Sequence, residues 1–348
     1  MIKKSTPPAI RIKQVVSFLY YNTGLAYHRY SDYASSENSL ILMYHRIVPT
    51  RVVTTELEPG MYVTAETFAR HIAFLAKHFT IVPLADLFSV QSEPGKPRCA
   101  ITFDDGWHDF LLHAFLVLER FQAPSTVFLP TNFIGTEKEF WTDTVARLLS
   151  REQELQQALA LVPFKDKLSS NIVVQQMARA NMVGEKKLEF VISGLKNRRA
   201  PEIYAALEEL RGIFPAIIPD GRVFLDWDEI HRLRASGLVS FGSHTVDHNI
   251  LTTLQPDEIR QELILSKEKL SAQGAVSREE PIFFCYPNGN ASSEIALMVK
   301  EAGYAGAVTT KKGWNGSEAN IFLLNRVGLH EDISSTQAMF ACRLAGIF

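Results

Sequence analysis

Short apolar runs alternate with amphipathic stretches along most of the chain. Runs that are apolar throughout are typical of strands buried on both faces, whereas apolar residues spaced three and four apart indicate helices. Because the two kinds of segment alternate, we predict an α/β fold, a distorted (β/α) barrel of about seven strands built on a parallel sheet. The predicted strands cover 39–45, 80–82, 99–103, 124–130, 238–242, 281–286, 306–309 and 323–327.

One long stretch, from about residue 135 to residue 221, departs from this alternation. It is rich in Gln, Glu, Lys and Leu, and its spacing predicts roughly three or four helices, over segments such as 142–161, 172–193 and 201–214. We interpret it as a helical insertion in the barrel. The expected domains are an N-terminal helical segment (1–38), the barrel with its insertion (39–334) and a C-terminal helical tail (335–348).

The composition is that of an ordinary globular protein, with 46% hydrophobic and 21% charged residues. The net charge of −2 argues against a nucleic-acid-binding protein, which would carry a basic face. The three cysteines lie in apolar runs and form no Cys-x-x-Cys pair. This pattern predicts buried thiols of a reducing compartment and argues against a zinc site built from cysteines.

The N-terminal segment carries the basic residues Lys3, Lys4, Arg11 and Lys13, followed by an aromatic and apolar run over 15–21. That run is short for a signal peptide and lacks a convincing cleavage site. It also falls short of the ~18 apolar residues of a transmembrane helix. We therefore expect a cytoplasmic protein whose N-terminal helix packs on the body of the protein. The alternative is a helix that lies on the inner face of the membrane.

The main candidate for a site is the place where the strand over 99–103 runs into Asp104, Asp105 and Gly106. Two adjacent carboxylates at the end of a buried strand cost free energy unless something offsets their charge. A bound cation would do so, and would leave one Asp as a ligand and the other as a base. The alternative is a solvated turn, because Asp and Gly are common turn residues.

Other polar residues also follow predicted strands, namely His244, His248, Asn288 and His330. In a barrel, the carboxyl ends of the strands form the face that carries the active site. His244 and His248 stand four apart, so in a helix both imidazoles would lie on one face and bind one ion. Two histidines and a carboxylate form an open site for zinc or non-haem iron, which leaves positions for water and substrate.

Three motifs resemble those of the polysaccharide deacetylases (NodB homology, carbohydrate esterase family four). They are Thr-Phe-Asp-Asp-Gly at 102–106, His-Thr-Val-Asp-His at 244–248 and Phe-Cys-Tyr-Pro-Asn-Gly at 284–289. The first two motifs, in this order and in a barrel, are a specific signal, and the resemblance extends over residues 40–330. It implies a NodB-type barrel that hydrolyses an N-acetyl group of an amino sugar and releases acetate. The implied substrate is a polysaccharide, an oligosaccharide or a glycolipid precursor.

The resemblance also implies roles for individual residues. Asp104 would be the general base. A backbone N–H near Asn288 would stabilise the oxyanion, and His330, in the final Leu-His motif, would be the general acid for the leaving amine. Three residues would bind one divalent metal ion, usually zinc: Asp105, His244 and His248.

In one respect the sequence departs from the family pattern. The third motif often has an Arg two residues before its Pro, which orients the base, but here Cys285 occupies that place. Because no clear Asp-x-x-Asp-Trp motif follows to partner such an Arg, the group that orients Asp104 stays open. Two alternative functions also stay open: a deacetylase-like carbohydrate-binding protein without turnover, and an O-deacetylase or other metal-dependent amidohydrolase.

Overall fold

A computed structural model describes residues 8–35, 38–50, 60–89, 96–161, 170–219 and 221–347. These residues belong to two units. One unit comprises Met1–Thr50, Tyr62–Thr136 and Phe224–Phe348, and the other comprises Arg51–Met61 and Glu137–Val223. Residues 1–7, which include Lys3 and Lys4, lie outside the described residues.

The first unit is built on short strands, most of which lie within a residue or two of the predicted runs. The strands are β1 (Ser39–Tyr44), β2 (Arg46–Val48), β3 (Tyr62–Thr64), β4 (Thr80–Ile81), β5 (Arg98–Phe103), β6 (Ser125–Leu129), β7 (Val239–Ser243), β8 (Phe283–Cys285), β9 (Gly306–Val308) and β10 (Val327–Gly328). All five residues of β6 are buried, which explains why such strands read as unbroken runs without polar alternation.

The central sheet is parallel throughout, in the order β10–β1–β5–β6–β7–β8–β9, and β4 pairs with β5. β2 and β3 form a separate parallel pair. Leu324 bridges to Val308 of β9, and Val327 pairs with Leu42 of β1. One short stretch of chain therefore contacts both β9 and β1. The predicted α/β fold with a barrel-like parallel sheet is confirmed.

Helices connect the strands. They are α1 (Pro8–Asn22), α2 (Leu25–Ser35), α3 (Ala65–His78), α4 (Phe115–Phe121), α5 (Trp141–Ser150), α6 (Glu152–Leu161), α7 (Ile172–Ala178), α8 (Glu185–Leu195), α9 (Ala200–Ile213), α10 (Trp227–Ala235), α11 (Pro256–Ala272), α12 (Ser293–Glu301), α13 (Glu331–Ser334) and α14 (Gln337–Leu344). Helix α10 begins at a capping box, in which Asp226 and Glu229 exchange hydrogen bonds with each other's backbone N–H. None of the described helices is long and apolar enough to cross a membrane.

The second unit contains helices α5 to α9 around a hydrophobic core of its own. The prediction of single helices over 142–161 and 172–193 was wrong, because each of these segments forms two helices. The first breaks at Arg151, whose backbone leaves the helical region, and the second breaks before Gly184, which adopts a positive φ of 64°. Apolar spacing continues across both breaks, so periodicity alone did not reveal them.

Candidate functional site

The two adjacent carboxylates lie at the carboxyl end of β5, in the middle of the sheet. Asp104 and Asp105 are 3% and 2% exposed. The chain turns sharply here, because Asp105 and Gly106 have positive φ angles of 73° and 68°. A side chain on Gly106 would place its Cβ 2.6 Å from Leu129, so the turn depends on glycine both for its φ and for the close approach to β6.

His244 and His248 follow β7, the second strand from β5 in the sheet, and the segment that joins them is a loop. The helical arrangement considered for this pair was therefore wrong. Instead, the carboxylate of Glu262, on α11, accepts hydrogen bonds from the backbone N–H of Val246 and Asp247, at 2.7 and 3.3 Å, and from the side chain of Asn249. These bonds shape the loop so that both imidazoles turn towards β5.

The two imidazoles converge on one oxygen of Asp105. The Nε2 atoms of His244 and His248 lie 3.5 and 3.3 Å from Asp105 Oδ1. A tetrahedral ion with bonds of about 2.0–2.2 Å separates its ligand atoms by roughly 3.3–3.6 Å, so the spacing fits one zinc-sized ion. Asp105 Oδ1 is buried and accepts no hydrogen bond from the described residues, as expected of an atom that faces a cation.

Neighbouring groups fix the orientation of these donors. The backbone carbonyl of Cys285 lies 2.8 Å from His244 Nδ1, so Nδ1 carries the proton and Nε2 presents its lone pair. The other oxygen of Asp105, Oδ2, accepts a hydrogen bond of 3.0 Å from the indole N–H of Trp107. Burial raises the pKa of Asp105, but the facing imidazoles of His244 and His248 outweigh it and hold the pKa well below its usual value.

Asp104 lies in a different environment, in a buried ion pair with Arg326. The guanidinium donates two hydrogen bonds, at 2.7 Å to Oδ1 and 2.8 Å to Oδ2, and Arg326 is 0% exposed. Burial raises the pKa of Asp104, but the charge and hydrogen bonds of Arg326 outweigh it, so the pKa is lower than usual. Asp104 is therefore ionised at neutral pH and held in one orientation.

A second group of potential ligands lies nearby: Asp104, His244 and Cys285. The guanidinium of Arg326 already contacts two of these residues, because its Nη2 lies 3.2 Å from the sulfur of Cys285 as well as against Asp104. A fixed positive charge at this point disfavours a metal ion. The arrangement therefore favours a single cation, at Asp105, His244 and His248.

The backbone around these residues is strained. Of the five non-glycine residues with positive φ in the described part of the chain, four lie in the three motifs: Asp105, Thr245, His248 and Asn288. Thr245 is notable because β-branched residues rarely adopt this conformation. Strain of this kind persists only where the surrounding structure enforces it, and it clusters at functional sites.

Comparison with known proteins agrees with the motifs. The family model for polysaccharide deacetylase matches residues 91–183 and 184–307, which is more than half of the chain. This chain belongs to the polysaccharide deacetylase family. It is accordingly a hydrolytic deacetylase, and the predicted family is confirmed. None of the curated proteins matches the sequence significantly.

Solved structures show the same fold at low sequence identity. The deacetylase PplD of Streptococcus pyogenes, solved in complex with acetate, is 18% identical, with a TM-score of 0.54, over 85% of this chain and 94% of PplD. A polysaccharide deacetylase from Bacillus cereus is 17% identical, with a TM-score of 0.53, over 88% of this chain and 69% of that protein. IcaB from Ammonifex degensii is 16% identical, with a TM-score of 0.50, over 87% of this chain and 97% of IcaB.

Arg326 is the site residue that the sequence analysis of this deacetylase missed. It lies just before β10, yet its guanidinium contacts Cys285, the position at which an Arg was expected and not found. The group that holds Asp104 therefore comes from a different strand. One signal was available, since a charged residue inside the apolar run over 323–327 implies a buried partner.

The structure places the two remaining predicted residues at strand ends. Asn288 lies at the surface in the turn Pro287–Gly289, directly after β8, with φ 58°. His330 follows β10, and its Nδ1 lies 3.5 Å from Asp332. The Nε2 of His45 lies 3.7 Å from Oδ2 of Asp104. The roles of Asn288 and His330 in oxyanion binding and proton donation stay predictions.

Proposed function

We propose that this protein is a metal-dependent N-deacetylase that hydrolyses the N-acetyl group of an amino sugar in a polysaccharide, oligosaccharide or glycolipid precursor. Asp105, His244 and His248 would hold one divalent ion, with zinc as the first choice. Asp104 would be the general base. The observation that supports this assignment is the difference between two adjacent carboxylates, one facing two imidazoles and the other held by Arg326.

Each residue of the proposed site has a distinct task. When bound, the metal ion would lower the pKa of a coordinated water from 15.7 to about 7 and polarise the acetyl carbonyl. Asp104 is ionised and oriented by Arg326, so it can accept a proton at the lone pairs that Arg326 leaves free. The hydrogen bond from His244 to the Cys285 carbonyl keeps the Nε2 lone pair directed at the ion.

The chemistry also supports acetate as the product. Acyl hydrolysis needs a nucleophile, a base and hydrogen-bond donors for the oxyanion. At the carboxyl end of the sheet, the proposed metal-binding side chains lie next to the proposed base. The solved structure of PplD, which shares the fold, holds acetate. We further propose that the protein acts in the cytoplasm on a precursor, because its three cysteines are buried free thiols of the kind found in a reducing compartment.

The test combines metal content with acetate release. The wild type, His244→Ala/His248→Ala and Asp104→Asn are purified and analysed for metal, and acetate release is assayed on N-acetylglucosamine oligomers and on O-acetylated sugars. We expect about one zinc per chain in the wild type and in Asp104→Asn, and none in the double variant. Acetate should be released by the wild type alone, and from the N-acetylated substrate alone.

A matched control is His231→Ala, which removes an exposed imidazole on α10 and should keep both metal and activity. Turnover by Asp104→Asn would show that the assigned base is wrong. Release of acetate from O-acetylated sugars alone would replace the proposal with an O-deacetylase. Metal without acetate release from either substrate would favour a carbohydrate-binding protein without turnover.

A further inference from the structure

Helix α1 exposes an unusual amount of apolar surface. Ile12, Val15, Phe18 and Leu19 are 65%, 60%, 63% and 61% exposed, and Val16 is 45% exposed. At 100° per residue, Ile12, Val15 and Leu19 form the centre of the outward face, and Val16 and Phe18 flank it. We call these five residues the apolar stripe. It is a contiguous surface of the kind that marks an interaction site.

The opposite face of α1 holds the helix on the first unit, and two of its contacts are polar. Ser17 is fully buried, and its backbone carbonyl accepts a contact of 3.7 Å from the Cys342 thiol. Tyr21 accepts a hydrogen bond of 2.6 Å from Gln337, at the start of α14. An ordinary surface helix turns its apolar face inward, but α1 does the reverse. Folding of the chain therefore does not account for the apolar stripe.

The N-terminal sequence is basic. Residues 1–22 contain Lys3, Lys4, Arg11 and Lys13 and neither Asp nor Glu. Burial lowers the pKa of Lys312, and the nearby charges of Arg343 and Lys13 lower it further, so these three cations lie close together beside α1. Residues 337–348, which include α14, are also free of acidic residues. Basic groups thus lie close to the helix that carries the apolar stripe.

We propose that α1 docks this protein on an anionic lipid membrane. The apolar stripe would lie in the interface, with Lys13, Lys312 and Arg343 at the level of the headgroups. A helix of 15 residues extends only about 22 Å, too short to span a bilayer core of about 30 Å, so it lies in the plane of the membrane. A second copy of the chain fits less well, because symmetric pairing would bring the basic residues beside α1 in the two copies together. The docking is independent of the proposed catalytic function.

Flotation of the purified full chain with vesicles tests this proposal. We expect binding to vesicles of phosphatidylcholine with 30% phosphatidylglycerol, weaker binding to phosphatidylcholine alone, and loss of binding as salt is raised. Val15→Ser/Leu19→Ser should weaken binding about tenfold or more. The matched control is Leu116→Ser/Leu297→Ser, because these leucines are 61% and 55% exposed on other helices. It should bind like the wild type.

Circular dichroism and thermal unfolding confirm that each variant is folded, since both pairs of substitutions lie on exposed faces. Equal binding to neutral and anionic vesicles, or no binding to either, would overturn the proposal. A dimer in lipid-free sedimentation that the α1 variant dissociates, without any vesicle binding, would assign the apolar stripe to self-association instead.

Discussion

Replacing Arg326 with Met tests how Asp104, the proposed base, is held. Arg326 and Asp104 are 0% and 3% exposed, and two hydrogen bonds of 2.7 and 2.8 Å join them. The substitution removes the charge and both donors but keeps an unbranched side chain of comparable length. Asp104 is then left as a buried carboxylate without its counter-ion.

The expected cost is large because the pair is buried. Removing one partner of a buried ion pair typically destabilises a protein by about 3–5 kcal/mol, since the remaining charge is uncompensated. Removing both partners costs much less, because neither charge is left. The double variant Asp104→Asn/Arg326→Met should therefore be more stable than the sum of the two single variants predicts, by about 2 kcal/mol.

Urea unfolding of the wild type, both single variants and the double variant measures this coupling. Equal m-values are required, so that midpoint shifts report stability. The pH–rate profile gives a second measurement, because loss of Arg326 raises the pKa of Asp104 and moves the acidic limb of activity to higher pH. Destabilisation below about 1 kcal/mol together with additive variants would refute the buried-pair argument.

Three further predictions concern residues of the first unit. Glu262→Gln removes the charge that holds the 244–249 loop, and zinc affinity should fall about 10–100-fold in a competition titration while the sheet stays folded. Burial lowers the pKa of His71 to about 3, so unfolding takes up a proton below pH ~6.5 and stability falls as the pH drops. His71→Gln should flatten the pH dependence of the free energy of unfolding, measured with urea between pH 6 and 4, by up to about 1.4 kcal/mol per pH unit. An unchanged pH dependence would contradict the lowered pKa of His71. Gly106→Ala should destabilise the protein by about 1–3 kcal/mol and lower its activity, because the positive φ of Gly106 and its approach to Leu129 exclude a Cβ. A variant with wild-type stability and turnover would show that the turn tolerates a Cβ.

The sequence was sufficient to predict the sheet because its strands are buried on both faces. Short, largely apolar runs such as 99–103 and 124–130 are typical of strands inside a parallel sheet, and their polar ends identified the edge that carries Asp104 and Asp105. The apolar residues of a strand and the polar residues at its end are neighbours along the chain, so the sequence shows them directly.

Two features of the site were not predictable in this way. The loop from His244 to His248 has helical spacing but takes its shape from Glu262, which lies on a different element. The contact between Arg326 and Asp104 depends on which strands become neighbours across the sheet, which a single sequence does not contain. Both are tertiary interactions between distant segments.

The ion pair between Asp104 and Arg326 joins residues 222 positions apart and links activity to the order of folding. During synthesis, β5 emerges long before residues 324–328, so the carboxylate of Asp104 stays without its counter-ion until the last strand arrives. Contacts at such separation form late and slowly, because a long loop must be closed first. A nascent or prematurely terminated chain would therefore contain Asp104 and the three proposed metal ligands, yet lack the guanidinium that orients Asp104. On the proposed mechanism, the site is complete only when the final strand is in place.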